Sequence, residues 1–338
     1  MQAITYMKVG WPFGVLMARA GFIAAVTATS VQAAIPASER QVLLNLYTST
    51  NGNFWGQNAG WNGAAGTECA PAPNAWFGIT CDVAGTHVTE IDLGYNFLTG
   101  PIPDLSALTA LQVFDADVNS LSGSIPPLNG FPNLYLFDVT GNSLTGSIPS
   151  LSGMSNLQFF YVGANQLSGS IPPLTALPNL AFFYVNDNQL TGSIPALGAL
   201  TALNAFEAST NQLSGIIPAL SGLPNLSLFA AEFNRLTGPI PALTNLPGLT
   251  FLNVDHNQLS GPIPALTGLG NLVSIAVDHN QLTGPPPAPP SPSQLVDASS
   301  VLCPNPLTPT PSSPWDAATG ITPWYSACDP IFASGFEF

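Results

Sequence analysis

The sequence predicts a solenoid of the α/β type: stacked short coils share one parallel concave sheet, most residues are strand or irregular, and a disulfide-bonded cap closes each end. Three observations predict it. Asparagines recur every 23 residues, at Asn96, Asn119, Asn142, Asn165, Asn188, Asn211, Asn234, Asn257 and Asn280. Apolar residues stand at fixed offsets before each one, as Leu180, Phe183 and Val185 do before Asn188. The four cysteines form two local pairs, Cys69 with Cys81 and Cys303 with Cys328, one near each end of the array.

Each repeated residue has a physical reason. In the copy at 180–195, Leu180, Phe183 and Val185 can face inward while Ala181, Phe182, Tyr184 and Asn186 face out, which is the periodicity of a short strand. Nine such strands stacked in parallel at about 4.8 Å would span on the order of 40 Å. The turn after each strand leaves backbone groups open, and a buried asparagine carries both the donors and the acceptor to satisfy them. Leu190 and Ile194 return to the core, with Gly192 permitting the bend between them. Pro195 is expected to end a second short strand, because it has no N–H to donate. The return arm, with Leu197 and Leu200, is too short and too rich in Pro and Gly for a long helix.

These residues resemble the leucine-rich repeat in its plant-type form, LxxLxLxxNxLxGxIP, which Leu203, Phe206, Ala208, Asn211, Leu213, Gly215, Ile217 and Pro218 carry in one copy. The likeness covers residues 40–290 and is to the repeats of polygalacturonase inhibitors and receptor ectodomains. It implies a superhelix with a second small sheet and irregular or 3₁₀ turns on the return side. It also implies protein or peptide ligands, including cell-wall-associated ones. With no kinase domain in the sequence, the chain resembles the soluble inhibitor or adhesin members. The stretches 53–61, 69–82 and 87–93 resemble the N-terminal cap that precedes such repeats.

Taken in order, residues 1–34 read as a signal peptide, with Lys8 and Arg19, an apolar run at 20–28 and cleavage near Ala33 or Ala34. Residues 35–85 form the N-terminal cap. There Ser38 and Gln41 make a capping-box pair ahead of Val42, Leu43, Leu46 and Tyr47 at helical spacing, and Trp55, Trp61 and Trp76 cover the open first coil. The repeats occupy 86–287 and decay in the ninth copy at Pro286 and Pro289. Residues 288–330 combine a stiff proline-rich segment with a C-terminal cap. In an exported chain each cysteine pair closes a short loop worth about 2–4 kcal/mol. The tail 331–338 resembles an aromatic-acidic ending of some exported bacterial proteins and is read as a sorting tag.

Composition excludes one class of partner. Beyond residue 34 only Arg40 and Arg235 stand against eighteen acids, so phosphate-rich nucleic acid is a poor ligand and a basic partner a good one. Regularly spaced leucines among uncharged polar residues, rather than a membrane span, account for a charged fraction of only 7%. After signal cleavage no membrane segment is expected.

The outward strand positions nominate the site. Tyr135, Phe159, Tyr161, Phe182 and Tyr184 would lie together on adjacent strands as an exposed aromatic patch, which marks recognition. Acids flank it: Asp115, Asp117 and Asp138 before, Glu232 and Asp255 after. Asp115 with Asp138 has the residue types of a glycosidase pair, but an open column is expected to lack the cleft that would raise one pKa. No GxSxG, HExxH or phosphate loop occurs, so no enzyme and no cofactor is expected. Asp255–His256 and Asp278–His279 are read as a solvated edge left by duplication, not a metal site. The expectation is a secreted, non-catalytic recognition protein that binds a protein, peptide or cell-wall-associated partner on its concave face. The alternative is a structural or ice-interacting surface protein that uses the hydroxyl column Thr99, Ser122, Thr145, Ser168, Thr191, Ser214, Thr237, Ser260 and Thr283, which otherwise serves as a turn residue bonding its own backbone.

Overall fold

The structure is a computed structural model and describes residues 34–71, 75–291 and 293–328. The expected leader up to residue 33 and the tail 331–338 lie outside the described residues.

Period-two patterning yields the concave sheet. Nine parallel strands run Val88–Asp92, Val113–Asp115, Leu136–Asp138, Phe159–Tyr161, Phe182–Tyr184, Ala205–Glu207, Leu228–Ala230, Phe251–Asn253 and Ser274–Ala276. Strand Ile79–Cys81 adds antiparallel at the N-terminal edge. Register advances by one whole coil, so Phe182 pairs with Phe159 and Ala205, and Tyr184 with Tyr161 and Glu207. Beneath the sheet, Phe114, Phe137, Phe160, Phe183, Phe206 and Phe229 are fully buried. Their rings stack at 5.5–5.8 Å from coil to coil as one continuous spine.

Short strands on the flank, such as Ser143–Thr145, Ser168–Ser170 and Gln189–Thr191, form separate small sheets rather than one. The second strand does not run to Pro195 as expected. It stops at Thr191, because Gly192 at φ 77° turns the chain out of the extended region first. On the return arm, Leu200 N donates to Leu197 O and Leu203 N to Leu200 O, a succession of tight turns that matches the 3₁₀-like expectation.

The N-terminal helix spans Ala37–Ser49, but the capping box does not form. Pro36 holds the N-cap position without any side-chain bond, which places Ser38 inside the first turn. The buried carboxylate of Glu39 reaches the first concave strand instead, accepting from Val88 N at 2.8 Å and pairing with His87 Nδ1 at 2.6 Å. Trp55, Trp61 and Trp76 are buried in a ring cluster with Tyr47, over which Arg40 lies at 5.2 Å from Trp76 while its guanidinium pairs with Glu68. Cys69 is bonded to Cys81 and Cys303 to Cys328. At the far end the helix Ser313–Thr319 buries Trp315, whose Nε1 donates to Pro287 O at 2.9 Å.

Candidate functional site

The asparagine ladder fixes the concave strands. Asn188 is typical: Nδ2 donates to Val162 O at 3.0 Å, Val185 O at 3.2 Å and Asn186 O at 3.0 Å, while Oδ1 accepts from Leu167 N at 2.9 Å. Two of those four bonds cross to the preceding coil, so each asparagine ties its turn to its neighbour's. The residue before it adopts the left-handed region, as Asp187, Phe233, His256 and His279 do. The ladder goes one rung further than the 23-residue interval shows. Asn305, 25 residues after Asn280, accepts from Leu282 N and donates to Val277 O and Leu302 O. The altered spacing hid it; the signal that could have found it is Leu302, three residues before Asn305, as Val185 is three before Asn188.

On that rigid base the five aromatics come together. Phe159 and Phe182 stack at 5.4 Å and 13°, and Tyr161 lies 5.0 Å from Tyr184. Phe159–Tyr161, Phe182–Tyr184 and Tyr135–Phe159 close the patch at 6.1, 6.3 and 6.5 Å. The patch is half-buried rather than fully exposed, because each ring covers its neighbours across 4.8 Å strand spacing. Burial pushes the Tyr161 and Tyr184 hydroxyls up, so both stay neutral.

The acids occupy the same columns on either side. Asp92, Asp115 and Asp138 are register partners on three consecutive strands, with Asp117 one outward position beyond Asp115. Asp138 is 7% exposed and accepts from Thr140 N at 2.8 Å. Burial first and Asp138 second push Asp115 up to about 8; burial and the same neighbour push Asp117 up to about 6. This corrects the expectation that an open column could not perturb a carboxylate. Two charges one strand apart repel by about 3–4 kcal/mol at an effective dielectric near 20, and the concave curve removes the water that would screen them.

Beyond the aromatics, burial pushes Glu207 up to about 6, and burial with Glu207 pushes Glu232 up to about 8. The Ser209 hydroxyl stands against both carboxyls and opposes each rise, although neither it nor Glu232 Oε2 makes a hydrogen bond of good geometry. Asp255 is 7% exposed and pairs with His256 Nδ1 at 2.8 Å; Asp278 does the same with His279 at 2.7 Å. The imidazoles stack on one another at 4.0 Å, and His256 stacks on Phe233 at 4.2 Å. His256, Asp278 and His279 thus present potential metal-ligand atoms within 4.8 Å of one another. Both ring Nδ1 atoms are already engaged by carboxylates.

The flank column is exposed along most of its length, but its hydroxyls do not bond their own turn. Thr145 Oγ1 donates to Gly123 O at 3.3 Å, and Thr237 Oγ1 to Gly215 O at 3.3 Å, each in the preceding coil.

Coil length, parallel concave sheet and asparagine ladder are those of a leucine-rich-repeat solenoid. The Leucine Rich Repeat family model matches residues 248–269. Among solved structures, the chain is similar to the LRR ectodomain of the plant membrane receptor kinase GASSHO1/SCHENGEN3 from Arabidopsis thaliana, in complex with CASPARIAN STRIP INTEGRITY FACTOR 2. The identity is 30% and the TM-score 0.70, over 82% of this chain and 34% of that one. It is also similar to the Arabidopsis receptor kinase HAESA in complex with the peptide hormone IDA and the co-receptor SERK1, at 26% identity and TM-score 0.60, over 80% of this chain and 50% of that one. A plant ice-binding protein shares the fold at 23% identity and TM-score 0.63, over 84% of this chain and 93% of that one. The chain therefore spans between a third and a half of the receptor ectodomains it matches. No curated protein matches the sequence. Among the described residues no helix is long and apolar enough to cross a membrane.

Proposed function

We propose that this is a secreted, non-catalytic recognition protein that holds a protein or peptide partner, basic or cell-wall-associated, on its concave face. One observation carries the reading: Tyr135, Phe159, Tyr161, Phe182 and Tyr184 form one contiguous ring surface, bordered by acids on both sides and by no lysine or arginine. Half-buried aromatic clusters of this kind supply contact area at low entropy cost, as recognition surfaces need. The peptide-bound receptor ectodomains cited above support a binding role for this fold.

The test is affinity capture from cell-surface and cell-wall extracts with wild type beside Phe159→Ser/Tyr161→Ser/Phe182→Ser/Tyr184→Ser, both first verified as folded by circular dichroism. A partner retained by wild type and lost by the variant is the expected result; equal retention would contradict the reading. A second reading, a structural or ice-interacting protein, is favoured by the exposed hydroxyl column repeated once per coil. On that reading, bulky charge at Thr145, Thr191 and Thr237 abolishes ice shaping and the ring variant leaves it intact.

A further inference from the structure

The turn after each concave strand sets one side chain beside the ladder asparagine, and along the solenoid these side chains form a column. In successive coils it holds Ala164, Asp187, Thr210 and Phe233, then His256 and His279. Two of the chain's three histidines therefore occupy neighbouring rungs, and each follows an aspartate. The backbone fixes both rungs: His256 N donates to Asp278 O at 3.0 Å, Asn257 N to His279 O at 3.2 Å and His279 N to Pro304 O at 2.8 Å. The two rings face one another at 4.0 Å and 16°, with Phe233 stacked on His256 at 4.2 Å.

We propose that His256, Asp278 and His279 form a binding site for one zinc ion, or a divalent transition-metal ion of the same class, where the concave face meets the C-terminal cap. The site lies three coils beyond Tyr184, outside the aromatic patch, and does not rest on the reading of that patch as a recognition surface.

Donor chemistry selects the ion. Two imidazole nitrogens with one carboxylate suit zinc, copper or nickel, whereas calcium and magnesium take oxygen shells. The three donor atoms already lie within 4.8 Å of one another. Bonds of about 2.0–2.2 Å in tetrahedral geometry set donors about 3.4 Å apart, so the rings need swing inward by no more than about 1.5 Å. They are exposed enough to turn: the His256 and His279 side chains keep 31% and 49% of their surface open, while Asp278 keeps 10% and serves as the fixed arm. His279 Nδ1 and Asp278 Oδ2, 2.7 Å apart, bracket the position of the ion. On binding, the ion replaces the proton held between them, and the neutral ring carries its one proton on Nε2 instead. Asp255, whose Oδ2 is 2.8 Å from His256 Nδ1, brings a second carboxylate beside the site. Neither arginine among the described residues competes for it: Arg40 pairs with Glu68 in the N-terminal cap, and Arg235 reaches Gln212 on the flank. Three protein donors leave a further coordination position for water or for a group on a partner.

The test is isothermal titration calorimetry with zinc chloride on the full chain, carrying no polyhistidine tag and stripped of metal by a chelator. It is repeated on His256→Asn, His279→Asn, Asp278→Asn and His87→Gln, each first verified as folded by circular dichroism. Asparagine tolerates the left-handed backbone that both histidines adopt. The expected result is one zinc per chain, bound at least about tenfold more weakly in His256→Asn, His279→Asn and Asp278→Asn and as in wild type in His87→Gln. Calcium or magnesium at about a hundredfold excess should leave the zinc isotherm unchanged. Absence of zinc binding, wild-type affinity in both His256→Asn and His279→Asn, loss of binding in His87→Gln alone, or displacement of zinc by calcium would each overturn the proposal.

Discussion

Phe182 and Phe183 are adjacent in one strand, yet they belong to different regions of the molecule. Phe183 points into a column that holds phenylalanine in six successive coils, from Phe114 to Phe229, all buried and stacked at one spacing. Phe182 points into a column that changes from Val113 and Leu136 through Phe159 to Ala205, Leu228 and Ser274. Packing explains the first, because every coil must present the same volume to its neighbours. It does not demand the second, where solvent tolerates many side chains, so a local concentration of rings and acids there points to use.

The comparison breaks most visibly at the spine. Phe160→Ala, which opens a cavity between Phe137 and Phe183, is expected to cost about 3–5 kcal/mol in urea unfolding. Asn188→Ala removes four hydrogen bonds and strands Leu167 N, for an expected loss of about 2–4 kcal/mol by the same measurement.

The outward columns sharpen the comparison through pH. Asp115 and Glu232 have folded-state pKa values raised to about 8, so the folded chain holds protons that the unfolded chain releases from about pH 4 upward. Their protonated forms favour folding, and that contribution is full below the ordinary carboxylate range and lost as pH rises towards about 8. Melting by circular dichroism is expected to show a lower temperature at pH 8 than at pH 5. Asp115→Asn should flatten that slope and raise the pH 8 value. The smallest effect belongs to the flank: Thr145→Val, which loses one bond at 3.3 Å, should change stability by no more than about 0.5 kcal/mol.

Much of the fold was legible because each coil must satisfy the same geometry. The interval between asparagines and the inward residues Leu180, Phe183 and Val185 follow from constraints that act on every copy, and both cysteine pairs were legible from their local spacing. The ends obey no such repetition. Ser38 and Gln41 carry a capping pattern, yet Pro36 takes the cap position and Glu39 is drawn into the core by Val88 and His87, partners almost fifty residues away. At the site, columns gave the right neighbours for Phe159, Phe182 and Asp115, but not their environment. Curvature and ring-on-ring cover decide that the aromatics are half-buried and that Asp115 is perturbed, and neither property is local in sequence.

The most direct test of the division between the two columns is a paired measurement on Phe182→Ser and Phe183→Val, reading melting temperature and capture of the extract partner in parallel. The account predicts that Phe182→Ser melts close to wild type and loses the partner, whereas Phe183→Val melts lower and, while still folded, keeps it. Partner binding that survives Phe182→Ser, or that falls only in step with stability in both variants, would contradict it.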